Sequence, residues 1–160
     1  MIDEYLAFAR GEAGEAAQTV SIGDLLAVAA EDARRAGAEV EVQVPEDLSA
    51  NLRPLALKRA LANLTGNAAA HGEHVRLGAR GLPSGGLEIT IEDDGPGIPD
   101  EMHEEAFRPF SRLDASRNQN RKGVGLGLAI ARDVARSHGG DISLDRSDLG
   151  GLRAVIRLPG

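Results

Sequence analysis

The sequence predicts an α/β fold, a two-layer α/β sandwich in which helices cover one face of a mixed sheet. Three observations support this prediction. The 160 residues include 42% hydrophobic and 27% charged side chains, the balance of a single globular domain. Helical and strand patterns follow one another along the chain. A short Pro-Ser-Gly-Gly turn separates two of the strands, which predicts a hairpin and therefore antiparallel pairing.

The individual elements follow from periodicity and from the residues that begin or end them. Ser21, followed by Asp24, begins a helix that Gly37 ends, and Pro54 begins another. The polar stretch 108–122 predicts a long loop. The predicted helices are 2–10, 21–37, 54–70, 101–106 and 123–138, and the predicted strands are 39–44, 75–80, 87–92, 141–144 and 152–158.

Composition excludes several classes of function and location. The formal net charge of −7 disfavours a nucleic-acid partner, because phosphate binding needs a concentrated positive surface. The chain has no cysteine, which suits a reducing compartment. No apolar run is long enough to span a membrane, and the first residues do not resemble a signal peptide. We therefore expect a cytoplasmic domain, whose parent protein can still be anchored in the inner membrane.

A glycine-rich segment, 123–127, stands directly before an apolar helix. This arrangement presents backbone N–H groups and a helix N-terminus to phosphate oxygens. It is not a Walker A loop, because Leu128 rather than Lys follows Gly127. It is not a dinucleotide fingerprint either, because the preceding run is polar and has no strand character. Taken alone, the segment could equally be a flexible hinge.

Two further motifs favour a nucleotide site. The segment 93–98 places carboxylates and glycines at the end of a predicted strand, where a flat ligand can approach the backbone, although a surface turn has the same composition. Asn63 and Asn67 lie four residues apart and share one helix face. Amide oxygens suit Mg²⁺, which completes its shell with phosphates and water. The alternative for Asn67 is helix capping.

Four ordered motifs resemble those of the catalytic, ATP-binding domain of sensor histidine kinases. NLTGNAAAHG resembles the N box, EDDGPGIPDE the G1 box, EEAFRPFSRLD the F box and GVGLGLAIARDVARSHGGDI the G2 box. The motifs span residues 63–142, in family order and with family spacing. The wider group includes gyrase and the mismatch-repair protein MutL, and its fold is the Bergerat-type α/β sandwich. The resemblance implies ATP and Mg²⁺ as ligands.

The resemblance also implies roles for particular residues. Asp94 matches the aspartate that accepts a hydrogen bond from the adenine amino group, and Asn67 matches the magnesium ligand, with Asn63 as a second contact to the metal or its waters. His71 lines the adenine or ribose, unless it is an ordinary histidine at a helix end. Phe107 belongs to the F box, which packs the base of a mobile lid. The remaining nucleotide-binding candidates are Gly95, Gly97, Ile98, Arg112, Arg117, Lys122, Gly123, Val124, Gly125, Leu126, Gly127 and Leu128.

Some of these candidates have ordinary alternatives, and the sequence departs from the family at two positions. The cations Arg112, Arg117 and Lys122 could simply solvate a loop. Val124 stands where many members have Thr or Ser, and Ala70 where some have Lys, so two phosphate contacts are absent.

The sequence favours phosphoryl transfer over rapid hydrolysis. Hydrolytic members of the wider group carry a Glu general base where this chain has Asn63, and an amide takes no proton at neutral pH. In the family the acceptor is a His on a dimerisation segment, and all four histidines here lie within or after the N box. The predicted organisation is the tail of that segment and a linker at 1–15, and the ATP-binding catalytic domain at 16–160.

The expected partners follow from that organisation. They are the dimerisation segment of the same parent protein and a cognate response regulator, and we expect the isolated domain to be monomeric. Two alternatives remain open at this point. One is an anti-sigma or switch-type serine kinase of the same fold, and the other is a nucleotide-binding module without catalysis.

Overall fold

A computed structural model describes residues 15–108 and 127–159. The strands are β1 (Gln18–Ser21), β2 (Glu39–Gln43), β3 (Ser49–Leu52), β4 (His74–Gly81), β5 (Leu87–Asp93), β6 (Asp141–Arg146) and β7 (Leu152–Leu158). The helices are α1 (Ile22–Arg35), α2 (Pro54–His71), α3 (His103–Ala106) and α4 (Gly127–Ser137), and a 3₁₀ turn, Asp100–Met102, precedes α3. The predicted helix at 2–10 and nearly all of the predicted loop lie outside the described residues.

The main sheet is mixed, as predicted. Its five strands lie in the order β2-β4-β5-β7-β6, with β2 and β4 parallel and every other neighbouring pair antiparallel. β4 and β5 form the predicted hairpin, in which Leu77 pairs with Ile91. The sequence did not predict the small antiparallel sheet of β1 and β3, because each strand has only four residues and little hydrophobic alternation.

Helices α1, α2 and α4 pack on one face of the main sheet and form the core with it. α2 lies between the other two helices, and its interior positions are small or aliphatic, so it buries more side chains than either of them. The largest fully buried hydrophobic side chains come from all three helices and from the sheet, namely Ile22, Leu26, Leu52, Leu57, Leu61, Leu77, Ile89, Ile130 and Ile156. Helices on one face confirm the predicted two-layer architecture.

The opposite face of the sheet carries rows of alternating charge. The strand register aligns one row across all five strands and a second row across four, so that each acidic residue neighbours a basic one. In the second row Glu88 Oε1 accepts from Arg80 Nε at 2.9 Å and Oε2 from Arg157 Nε at 3.0 Å. The bond to Arg80 is the main cause that lowers the pKa of Glu88. The rows are Glu41-Arg76-Glu92-Arg153-Asp145 and Arg80-Glu88-Arg157-Asp141, although the Asp141 carboxylate turns to Arg132 and Arg136 of α4.

The start of α2 is capped by residues that are distant in sequence. Its own N-cap residue, Arg53, makes no side-chain capping bond. The Glu15 carboxylate instead accepts from Leu55 N at 2.8 Å and from Ala56 N at 3.1 Å. His138, just beyond the end of α4, accepts from Arg53 N at 3.1 Å through Nε2. The first N–H groups of a helix have no partner within it, so these external caps satisfy three of them and fix where α2 begins.

Among the described helices, none has both the length and the hydropathy needed to cross a bilayer.

Replacing Glu15 by Ala is expected to lower the free energy of unfolding by about 0.5–2 kcal/mol, the usual cost of losing a helix cap. Chemical denaturation of the variant and of the unaltered chain measures the difference. Glu46→Ala, in the exposed loop after β2, is the matched control and should change stability by less than about 0.5 kcal/mol. Equal effects of the two substitutions would contradict the capping role.

Candidate functional site

Three parts of the fold meet around Asp93, the last residue of β5. The Asp93 side chain is 2% exposed. Its Oδ1 accepts from Gly95 N at 2.9 Å and from Leu152 N at 3.3 Å, and its backbone carbonyl accepts from Gly151 N at 3.1 Å. Asp93 therefore joins the loop that follows β5 to the turn between β6 and β7, and its carboxylate is held in one orientation.

Glycines allow the backbones to meet this closely. A Cβ at Gly95 would overlap the carbonyl of His71, the last residue of α2, and a Cβ at Gly151 would overlap the Asp93 carboxylate. Gly97 has φ of 72°, a backbone conformation that favours glycine. The loop after β5 thus rests directly on the end of α2 and on the β6–β7 turn. These glycines are required by packing, whatever they also do for a ligand.

Asp94 faces away from this centre. Its Oδ1 accepts from Glu73 N at 2.8 Å and from His74 N at 3.1 Å, and its Oδ2 lies 2.7 Å from His74 Nδ1. These bonds, with the His74 N–H first among them, lower the pKa of the Asp94 carboxyl. Both oxygens of Asp94 are therefore used at the start of β4. This orientation toward the turn between α2 and β4 favours Asp93 over Asp94 as the adenine ligand, and the predicted role of Asp94 stays a prediction.

Asn63 and Asn67 lie on one face of α2, as their spacing predicted, and both are half-buried. The Cβ of Asn63 lies 3.9 Å from where a Cβ would stand at Gly127, the first residue of α4. Among the described residues, Asn63 Nδ2 is buried and has no hydrogen-bond partner. A buried amide without a partner is costly, so this position suits a polar ligand that supplies one.

The same pair has side chains whose chemistry can be compared with the ligands that Mg²⁺ prefers. The Cβ of Asn63 lies beside the start of α4, where backbone N–H groups favour phosphate, and Asn63 Nδ2 can donate a hydrogen bond to a phosphate oxygen. Asn67 lies one turn farther along the same face of α2. Mg²⁺ takes only one or two protein oxygens and keeps water and phosphate for the rest of its shell. The carbonyl oxygens of these two neutral amides therefore fit a Mg²⁺ ion whose other ligands are water and phosphate, although they would hold it poorly without a nucleotide.

Phe107 connects α3 to α4. Its ring is 6% exposed, and the guanidinium carbon of Arg132 lies 4.3 Å from the ring centre. Arg132 also pairs with Glu104 and with Asp141, each at 3.2 Å. A cation over an aromatic ring is attracted to its face, so these contacts hold α3 against α4. Phe107 thus packs between elements, as expected of the F box, and its predicted contact with nucleotide stays a prediction.

The other predicted residues are placed as follows. His71 is the last residue of α2, directly under Gly95. Ile98 and Leu128 are buried in the core, and Gly127 begins α4. The candidates that lie outside the described residues are Arg112, Arg117, Lys122, Gly123, Val124, Gly125 and Leu126.

The sequence analysis did not single out Asp93, Gly151 or Leu152, although the sequence contains signals for Asp93 and Gly151. The inward-facing residues of β5 alternate from Leu87 to Ile91, and the same alternation continues to Asp93 and points Asp94 the other way. The Gly150-Gly151 pair directly before a strand predicts only a turn. Nothing in the sequence distinguishes Leu152, whose contribution is a backbone N–H.

Replacing Gly151 by Ala is expected to destabilise the fold by about 1–3 kcal/mol, because the new methyl group would overlap the Asp93 carboxylate and backbone. Denaturant-induced unfolding measures the change. Gly66→Ala in α2 is the control, since a Cβ there would meet nothing within 4 Å and should stabilise the helix by about 0.5–1 kcal/mol. Unchanged stability in the Gly151 variant would show that the turn does not pack as described.

Comparisons with known proteins identify the family of the chain. A family model described as histidine kinase-, DNA gyrase B- and HSP90-like ATPase matches residues 53–160. The sensor histidine kinase GtrS of Pseudomonas aeruginosa is 46% identical over 107 residues, which cover 67% of this chain and 22% of GtrS. The sensor histidine kinase CpxA of Escherichia coli strain K12 is 36% identical over 169 residues, which cover 99% of this chain and 36% of CpxA.

A solved structure gives the same result. The crystal structure of the ATP-binding domain of PrrB from Mycobacterium tuberculosis matches with a TM-score of 0.71 and 35% identity, over 91% of this chain and 98% of that one. The chain spans 22% to 36% of the length of the two sensor kinases above. The family match includes every described residue of the site, from Asn63 to Leu152. The chain therefore belongs to the histidine kinase-, DNA gyrase B- and HSP90-like ATPase family and, within it, to the ATP-binding domains of sensor histidine kinases.

Proposed function

We propose that this domain binds ATP together with Mg²⁺ and donates the γ-phosphoryl group to a His on a dimerisation segment outside the chain, for onward transfer to a response regulator. The observation that carries the proposal is the half-buried amide pair Asn63 and Asn67 on one face of α2, in which Asn63 lies beside the start of α4 and neither residue is a carboxylate. Such a pair can hold phosphate and metal but cannot activate water. A cytoplasmic location stays a prediction, and the parent protein can be membrane-anchored.

Asp93 is the residue we propose for adenine recognition. The adenine amino group is a hydrogen-bond donor, and a carboxylate can accept several hydrogen bonds at once. The backbone N–H groups of Gly95 and Leu152 fix the orientation of the Asp93 carboxylate before any ligand arrives. Close packing of Gly95 on the His71 carbonyl and of Gly97 on Gly151 fixes the course of this loop, whose backbone is proposed to border the base. His71 is proposed to border the same pocket.

The phosphates are proposed to lie at the other end of the site. Asn63 and His71 are about 12 Å apart along the α2 axis, at about 1.5 Å per residue. Adenine beside the end of α2 would therefore place the phosphates near the amide pair and the N-terminus of α4. The N–H groups at that terminus favour phosphate oxygens. The segment 123–126, with Arg112, Arg117 and Lys122, is proposed to complete this end.

The residues of the chain bind and orient the reactants, and the nucleophile comes from elsewhere. When bound, Mg²⁺ supplies positive charge that neutralises the phosphate oxygens. Asn67 is proposed to hold the ion, and Asn63 to hold its waters or a phosphate oxygen. In phosphoryl transfer, positioning and electrostatic stabilisation provide most of the catalysis, so a site without a general base is sufficient when the acceptor is a His side chain.

Replacing Asp93 by Asn is expected to weaken ATP binding by at least about tenfold, because an amide turns one acceptor oxygen into a donor and leaves a buried polar group mismatched. Isothermal titration with ATP and Mg²⁺ measures the affinity. Asp47→Asn, on the exposed loop after β2, is the control and should bind like the unaltered chain. Normal affinity in the Asp93 variant would show that adenine binds elsewhere.

Phosphoryl transfer is tested by mixing the domain and γ-labelled ATP with a separately made acceptor segment that carries the His. Label is expected on that His, at a rate that falls by at least about tenfold in Asn67→Ala, since the variant lacks the proposed metal ligand. Acid-labile incorporation identifies phosphohistidine. ATP binding without label on the His would favour the alternative of a nucleotide-binding module without catalysis. Label on a Ser of a partner protein would favour the alternative of a serine kinase.

A further inference from the structure

Asp94 and His74 form a compact cluster next to the proposed adenine site. The Asp94 carboxylate accepts hydrogen bonds from two successive backbone N–H groups, those of Glu73 and His74, at 2.8 and 3.1 Å. The His74 ring adds a third contact to it through Nδ1, at 2.7 Å. These bonds connect the loop after β5 to the turn that leads from α2 into β4.

The same histidine extends the cluster to the edge of the sheet. His74 Nε2 lies 2.9 Å from Glu39 Oε2 at the start of β2, so the ring stands between two carboxylates. Within residues 15–108 and 127–159, the charged groups that face the ring are Asp94, from the loop after β5, and Glu39, from β2. The two ring nitrogens can donate to both carboxylates at once only when the ring is protonated, because neutral imidazole carries a single N–H.

The cluster fixes the position of Asp93 by geometry. Asp93 and Asp94 are consecutive and face opposite sides, so that a displacement of one carboxylate moves the peptide that carries the other. Tight packing leaves little room for compensation, since a Cβ at Gly72 would lie 2.7 Å from Asp94 Oδ1 and 3.1 Å from the Asp93 Cβ. Asp93 is therefore held from one side by Gly95 and Leu152 and from the other by Asp94.

We propose that Asp94 and His74 are positioning residues for nucleotide binding, which set the place of Asp93 without touching the nucleotide. This inference rests on the proposed role of Asp93 in the binding of adenine. It reverses the role that the sequence motif suggested for Asp94, and it assigns a function to His74, which lies outside the four sequence motifs.

The inference predicts a dependence on pH. Contact with Asp94 is the largest influence on His74 and raises its pKa above the usual 6.5, while Asp94 has a lowered pKa. A group whose pKa is raised in the folded state contributes its full stabilisation of the fold below its unfolded pKa. That stabilisation is lost as the pH rises through the folded pKa. The cluster should therefore hold Asp93 best at mildly acidic pH and less well once His74 loses its proton. For an exposed pair we expect a change in nucleotide affinity of about twofold to fivefold.

Asp94→Asn and Asp94→Ala separate the possibilities. Asn keeps an oxygen for the two backbone N–H groups but loses the charge that His74 responds to. We expect its affinity for ATP with Mg²⁺ at pH 8 to stay within about twofold of that of the unaltered chain. The change in affinity that His74 causes between pH 6 and pH 8, here called the step, should disappear. Ala removes every acceptor and should weaken binding by about tenfold at both pH values. His74→Gln should remove the step as well, and Asp47→Asn is the control.

Titration of ATP itself affects every variant alike, so the readout is the ratio of each variant's affinity to that of the unaltered chain, compared between pH 6 and pH 8. Amide hydrogen exchange without nucleotide gives a second measurement. In Asp94→Ala, the Gly151 and Leu152 amides, which donate to Asp93, should exchange several-fold faster than in the unaltered chain. Faster exchange would support the positioning role even if ATP did not bind.

Two results would overturn the inference. If Asp94→Asn abolished binding while Asp93→Asn did not, Asp94 would be the adenine ligand, and the proposed function would survive with its residue exchanged. If Asp94→Ala kept normal affinity at both pH values and normal exchange at Gly151 and Leu152, the cluster would have no positioning role. Failure of the unaltered chain to bind ATP would instead contradict the proposed function, and the exchange data would then decide the inference alone.

Discussion

The site depends on one constraint, the contact of three stretches of backbone around the Asp93 carboxylate. A buried carboxylate is stable only where donors surround it, and here the donors are main-chain N–H groups from two loops. That arrangement requires glycine at Gly95 and Gly151, because any side chain there would separate the loops. The five-stranded sheet and α2 serve to bring these loops together, since β5 delivers Asp93 and the end of α2 supports the loop beyond it.

The sequence predicted the architecture well because its main elements have strong local signals. Ser21 accepts from Asp24 N at 3.3 Å as the cap of α1, and Gly37 has φ of 102° just beyond the end of that helix. The β4–β5 hairpin follows from its turn residues. Prediction failed for β1 and β3, whose pairing depends on long-range contact rather than on pattern. It also could not foresee that Glu15 would cap α2, because that bond joins residues 40 positions apart.

The candidate site shows the same division. Motif spacing placed Asn63 and Asn67 correctly on one helix face, since helical periodicity is a local property. The resemblance assigned the adenine contact to Asp94, whereas the opposite orientation of the two adjacent aspartates in the fold favours Asp93. Asp93 continues the buried side of β5, whereas Asp94 faces the half-exposed His74. The distinction rests on Gly151 and Leu152, which lie more than fifty residues farther along the chain, beyond the reach of any local pattern.

The fixed ends of α2 have a consequence for ligand selection. Glu15 and His138 hold its first turn, and the loop of Asp93 and Gly95 packs on its last residue, so the helix cannot slide along its axis without breaking bonds at both ends. A helix held in this way fixes the distance between the two proposed binding regions at its ends. A ligand that reaches Asp93 but is too short to reach Asn63 would engage only half of the site. With the nucleotide placed as proposed, the fixed length of α2 sets how far a ligand must extend to contact both regions, and so relates affinity to the number of phosphates.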